Sequence, residues 1–238
     1  VTRATLPIVL VPGLNCSARI YTGQIPPLWR FGPVTVANHT HGDSVAAIAR
    51  DILANASAKF LLVGFSLGGY IAFEMFRQAP QRIAALALVD TSARPDAPAQ
   101  TALRQQRIRQ AQEGRFREVV AEQFPALVHP SRHADTALQR DYRRMADETG
   151  AELFVQHQRA IIQRADSRPD LGRIRCPTLV LVGDSDQIMP PDAAKEMAEA
   201  ILGARLVVVP DCGHLAPIER PDAVCAALVE FTESIHSR

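Results

Sequence analysis

Residues 59–80, KFLLVGFSLGGYIAFEMFRQAP, constrain the fold more than any other stretch of the chain. Residues 60–63 form an unbroken apolar run, the pattern of a short strand buried on both faces. Gly64, Phe65, Ser66, Leu67 and Gly68 follow at once as a turn, and residues 67–79 read as a helix that Pro80 stops. A serine on a tight strand-to-helix turn is held in strained backbone geometry, so its neighbours must be small, and Gly64 and Gly68 frame Ser66 as G-x-S-x-G. In an ordinary loop the motif would carry no meaning; between a buried strand and a helix it marks a nucleophile. The helix dipole there favours a developing oxyanion.

The same alternation recurs along the chain. Residues 6–11, 34–37, 83–89, 176–182 and 206–209 read as strands, and residues 45–56, 192–202 and 221–234 as helices. Pro26 and Pro27 precede a further short helix with Leu28 and Trp29. This order predicts an α/β fold, a mostly parallel sheet with helices on both faces. Residues 94–168 break the rhythm. They are arginine-rich and helical, with expected helices at 100–112, 116–124, 134–147 and 151–164 punctuated by Pro125, Pro130 and Gly150. Residues 1–93 and 169–238 are therefore expected to form the core, with 94–168 as a helical cap inserted in it.

At 238 residues and 47% hydrophobic content the chain suits one domain, burying about 70–75% of its unfolded surface. A net charge of +1 offers no field for nucleic acid or an anionic membrane, and no apolar run approaches a membrane span. A small-molecule partner is expected, with the protein a monomer or homodimer. Cys16, Cys176, Cys212 and Cys225 are scattered, without metal spacing, and read as free thiols. No cofactor and no metal is expected. His39 and His41 lack a third ligand nearby, and Pro130 between His129 and His133 argues against one helix face. No leader is recognisable, although the sequence starts at Val1 rather than at a methionine, and a cytoplasmic location is expected.

Chemistry assembles at the strand ends. Ser66, Asp186 and His214 each closely follow an apolar strand, and the carboxyl ends of parallel strands share one edge of the sheet. Taken alone, His214 reads as an ordinary core histidine and Asp186 as an ordinary turn aspartate. With Ser66, in the order Ser, Asp, His, they read as nucleophile, base and orienting carboxylate. Asp184 and Asp90 are rival acids. The turn Pro12, Gly13, Leu14, Asn15 after the first strand can aim a backbone N–H at the reacting centre.

The motifs V-P-G-L-N at 11–15, G-F-S-L-G-G at 64–69, G-D-S-D at 183–186 and G-H-L-A-P-I-E-R-P at 213–221 resemble those of the α/β-hydrolase superfamily. The resemblance covers almost the whole chain and points to the single-domain esterase, lactonase and C-C hydrolase branch with a helical cap. It implies an oxyanion hole made by the N–H groups of Leu14 and Leu67, and a structural role for Glu219 near the histidine loop. There are two departures. Pro12 stands where the family's usual histidine stands, which removes that side chain from the support of the loop but leaves the Leu14 N–H in place. The family's first two strands are also missing from the pattern.

A serine nucleophile argues against dehalogenase and epoxide hydrolase chemistry, which use a carboxylate. The expected activity is serine carboxylesterase action on small esters of short to medium acyl chain, through an acyl-enzyme. A lactonase, a C-C hydrolase, a lyase of the same fold and a ligand sensor are the alternatives. Phe124, Tyr142, Met145 and Phe154, on the expected cap helices, are candidates for the wall of an acyl pocket.

Overall fold

Six short runs of apolar, largely β-branched or leucine-rich sequence pair side by side. The computed structural model describes residues 5–236; Val1 lies outside them. The strands are β1 (Ile8–Val11), β2 (Val34–Val36), β3 (Phe60–Phe65), β4 (Ile83–Val89), β5 (Thr178–Gly183) and β6 (Arg205–Val209). Their order across the sheet is β2-β1-β3-β4-β5-β6, and every neighbouring pair is parallel. The expected sheet is thus observed.

Every residue of β1, β3 and β5 is buried, which explains why those strands are continuously apolar rather than alternating. One apolar layer contains Ile8, Leu10, Leu61 and Val63; the other contains Val9, Val11, Phe60 and Leu62. Successive side chains of a strand point to opposite faces, so the two layers are the two faces of one sheet. Helix Val45–Asn55 packs beside Leu67–Gln78, its N-terminus capped by Ser44, whose hydroxyl accepts from the Ala47 N–H at 3.2 Å.

Strand order also locates the site. From β1 the chain goes outward to β2, then returns across β1 to begin β3, so the direction of winding reverses between β1 and β3. Loops leaving the carboxyl ends of two such strands diverge and leave a crevice. Val11 pairs with Gly64, which brings the turn after β1 and the turn carrying Ser66 to the same level.

Between β4 and β5 lie helices Pro98–Gln110, Phe116–Leu127, Thr136–Ile162 and Arg168–Leu171. Gly150 interrupts the third with φ 81° and ψ 167°, so the two helices expected there are joined across a kink. Pro125 does not end its helix, which runs on to Leu127. Without an N–H, Pro125 gives up its bond to the carbonyl four residues back, and the helix continues for only two residues beyond it. No helix among the described residues is long and apolar enough to cross a membrane.

Candidate active site

Ser66 has φ 52° and ψ −115°, outside the regions an ordinary residue prefers. Such a conformation costs about 1–3 kcal/mol and persists only where its surroundings hold it. Here the Ser66 N–H donates to the Val89 carbonyl at 2.9 Å, and the Ser66 carbonyl accepts from the Gly69 N–H and the Thr91 hydroxyl, both at 2.8 Å. Close approach does the rest. A Cβ on Gly64 would run into the Gly68 carbonyl oxygen, and one on Gly68 into the carbonyl oxygen of Val11. Only glycine lets helix, turn and β1 meet so closely.

His214 Nε2 lies 2.9 Å from Ser66 Oγ, and His214 Nδ1 lies 2.8 Å from Asp186 Oδ2. Asp186 Oδ1 accepts the N–H groups of Ile188 and Met189, each at 2.8 Å, so both oxygens are engaged and the carboxylate is fixed in plane. A carboxylate only accepts, so Nδ1 donates to it and Nε2 is left to accept from the serine hydroxyl. All three side chains are buried, which strengthens these bonds relative to water.

The rival acids are placed elsewhere. Asp184 accepts the N–H groups of Asp211 at 3.0 Å and Cys212 at 3.2 Å, and so shapes the loop leading to His214. Asp90 is fully buried and accepts from the Gly183 N–H at 3.0 Å; burial, with Asp186 beside it, pushes its carboxyl well above the usual range. Glu219 accepts the N–H of Gly213 at 2.8 Å and of His129 at 2.7 Å, in the structural position the resemblance implied.

Leu14 and Leu67 both border the cavity above Ser66, and their N–H groups donate to no acceptor among the described residues. The turn bearing Leu14 is supported by a residue the sequence left without a role. His39 Nε2 lies 3.3 Å from the Gly13 carbonyl, and the His39 carbonyl in turn contacts His157 Nε2 at 2.9 Å. The two rings are 4.8 Å apart. Burial and the neighbouring His157 hold His39 down to about 3, so it is neutral and its Nε2–H donates to Gly13. Support that Pro12 does not supply thus comes from the end of β2. His41 is exposed, 3.8 Å from Asp51. Among the described residues no group of three or more His, Cys, Asp or Glu is gathered in a way that would hold a metal.

The cavity has a volume of about 250 Å³ and is lined by the turns after β1 and β3, the His214 loop and the helices of 98–162. Of the four side chains expected in its wall, Tyr142 lines it, whereas Phe124, Met145 and Phe154 do not. Those three are buried in helix packing, Phe154 against Phe116 with ring centroids 5.3 Å apart. Other apolar side chains, among them Leu103, Leu127, Ile161 and Met189, line it together with the polar Arg104, Arg107, Gln123 and Gln187. Cys16 also lines it, but burial pushes its thiol up to about 12, so no thiolate competes with Ser66.

Over residues 26–221 the sequence matches the family described as α/β hydrolase fold. The chain belongs to the α/β-hydrolase family. This hydrolase is similar to a thermophilic esterase from Thermogutta terrifontis solved with malate bound: 30% identity, TM-score 0.88, covering 99% of this chain and 92% of that one. It is 26% identical to a pimeloyl-[acyl-carrier protein] methyl ester esterase of Neisseria meningitidis, over 95% of this chain and 92% of that protein. An enol-lactonase from Burkholderia xenovorans shares the fold, with TM-score 0.87 at 24% identity over 97% of this chain and 92% of that one.

Proposed function

We propose that this hydrolase is a serine carboxylesterase acting on small carboxylic esters through an acyl-enzyme. The carrying observation is the continuous line from Ser66 Oγ through His214 to Asp186, at 2.9 and 2.8 Å, opening into a confined cavity. In this reading His214 takes the Ser66 proton as Oγ attacks the ester carbonyl, while Asp186 stabilises the imidazolium. The negative charge on the tetrahedral oxygen is met by the free N–H groups of Leu14 and Leu67. His214 then gives its proton to the leaving alcohol. In the second half, water attacks the acyl group, its proton again passing to His214, and Ser66 is released. Residues 94–168 act as the cap that closes the cavity over Ser66. Ester substrates named for similar proteins support the same bond class. At about 250 Å³ the cavity lies below the usual range for drug-sized ligands, which favours compact substrates.

The test is to trap the acyl group. Rapid quenching during turnover of a short methyl ester is expected to leave the acyl mass on the peptide containing Ser66. Ser66→Ala is expected to lower kcat by about 10⁴ to 10⁶ with an unchanged melting temperature. Full esterase activity in Ser66→Ala, or turnover without any acyl adduct, would overturn the reading.

A further inference from the structure

Arg107 projects from the helix Pro98–Gln110 into the cavity that also holds Ser66 and His214. It is half-buried, and its guanidinium makes no hydrogen bond or ion pair with any described residue. Its neighbour Arg104 does have an anion, donating to Asp96 at 2.7 Å, but Asp96 also accepts from Arg164 at 2.7 Å, so two guanidinium groups share one carboxylate. No Asp or Glu lines the cavity. Burial and the Arg104 charge push the Arg107 guanidinium down from its ordinary value, and Tyr142 and Glu122, neither in hydrogen-bond contact with it, offset only part of that.

Gln123, on the helix Phe116–Leu127, lines the same space. Asn15 Nδ2 donates to the Tyr142 hydroxyl at 3.2 Å, which donates in turn to Gln123 Oε1 at 3.3 Å. This relay orients the Gln123 amide and leaves its Nε2 without an acceptor, in a residue only 6% exposed. A buried donor with nothing to bond is destabilising unless a ligand oxygen meets it. An ester carbonyl can satisfy Gln123 but leaves the guanidinium unanswered. A carboxylate, all acceptor and matched to the fork of an arginine, satisfies both.

We infer that the preferred substrates carry a free carboxylate besides the reacting ester, bound by Arg107 and Gln123, as in a monoester of a small dicarboxylic acid. This rests on the ester-hydrolase reading and narrows it. The relay through Tyr142 also ties the carboxylate site to Asn15, the residue after Leu14, so filling one end of the cavity steadies the turn at the other.

The matched pair that tests it is monomethyl glutarate and methyl pentanoate, which differ in bearing a carboxylate or a methyl group at the far end. The wild-type enzyme is expected to favour the glutarate ester by about 10- to 100-fold in kcat/KM, expressed mainly in KM. Arg107→Gln is expected to abolish that preference and Arg107→Lys to restore part of it. Arg109→Gln, on the same helix but outside the cavity, should keep it. No side-chain hydrogen bond or ion pair is lost in Arg107→Gln, so its melting temperature should match the wild type. A wild-type preference for methyl pentanoate, or a preference undiminished in Arg107→Gln, would overturn the inference. Labelling of Ser66 by an uncharged fluorophosphonate separates the two readings. With labelling but no preference, the carboxylate site alone fails; without labelling the hydrolase reading fails, and calorimetric binding of glutarate, present in wild type and lost in Arg107→Gln, still decides for or against the site.

Discussion

The sheet edge and the helices above it hold their functional groups by different means. At the edge, backbone bonds do the positioning: the Ser66 N–H is fixed to Val89, and the His214 and Leu215 N–H groups both donate to the Leu127 carbonyl, at 2.9 and 3.0 Å. In the helical segment, side-chain charges do it. Asp96 lies between Arg104 and Arg164, and Arg164 also donates to the Arg94 carbonyl at 2.9 Å, which clasps the two roots of the segment together. Arg94 itself reaches Asp192 and Glu196 at 2.8 and 2.7 Å. Backbone bonds constrain side chains only where the main chain approaches too closely for a Cβ, as at Gly64 and Gly68, whereas an ionic clasp depends on every member. The difference teaches that the groups at the edge depend on close backbone approach, at Gly64 and Gly68 above all, while the helices of 98–162 depend on a few charges.

The largest effect that would break this comparison concerns the acid at the edge. Asp186→Asn is expected to lower kcat by about 10⁴, because the amide no longer holds the His214 tautomer, with little change in stability. Asp184→Asn keeps an oxygen acceptor for the His214 loop and should do far less. Steady-state kinetics of the pair decides it, and greater damage in the 184 variant would show that the loop, not the carboxylate at 186, governs the histidine.

Next comes the clasp. Asp96→Asn strands two guanidinium groups that are 87% and 94% buried, and breaking such a cluster from one side typically costs about 3–5 kcal/mol. Urea denaturation should show that loss, and a loss below about 1 kcal/mol would mean the ionic root is dispensable.

The smallest effect sharpens the boundary between the regions, where His39 of the core meets His157 of the roof. His39 falls from 6.5 when unfolded to about 3 when folded, and burial lowers His157 as well. As pH drops below 6.5 the unfolded chain takes up protons that the folded one refuses, so stability is full above that value and declines towards about 3. The slope is expected to approach about 1.4 kcal/mol per pH unit for each histidine. Denaturation midpoints measured from about pH 8 down to about pH 4 should show it, and His39→Gln should flatten it. An equal slope in that variant would assign the acid sensitivity to other groups.

Ser66, Asp186 and His214 were legible because each lies at the end of an apolar run, and strand ends are what hydrophobic patterning locates best. Gly150 was legible as a break in the helical pattern, although two separate helices were expected where one kinked helix runs from Thr136 to Ile162. The cavity wall was not. Apolar spacing identified Phe124, Met145 and Phe154 as buried, which they are, yet it could not tell a face packed on protein from one enclosing space. Arg104 and Arg107 follow a polar pattern that reads as solvated surface, and only the folded chain shows what they face. His39 escaped because its partners, Gly13 and His157, are 26 and 118 residues away.

The close approach at Gly64 and Gly68 has an evolutionary consequence. Each glycine abuts backbone rather than a side chain that can turn aside, so no single substitution elsewhere makes room for a larger residue. Change at either position requires the backbone around it to move at once, a route closed to lineages that accumulate one mutation at a time. Neutral drift is channelled away from the turn and into the helices of 98–162, where new side chains alter what the cavity admits. Descendants of such a chain are free to vary the cavity while inheriting the setting of Ser66 unaltered.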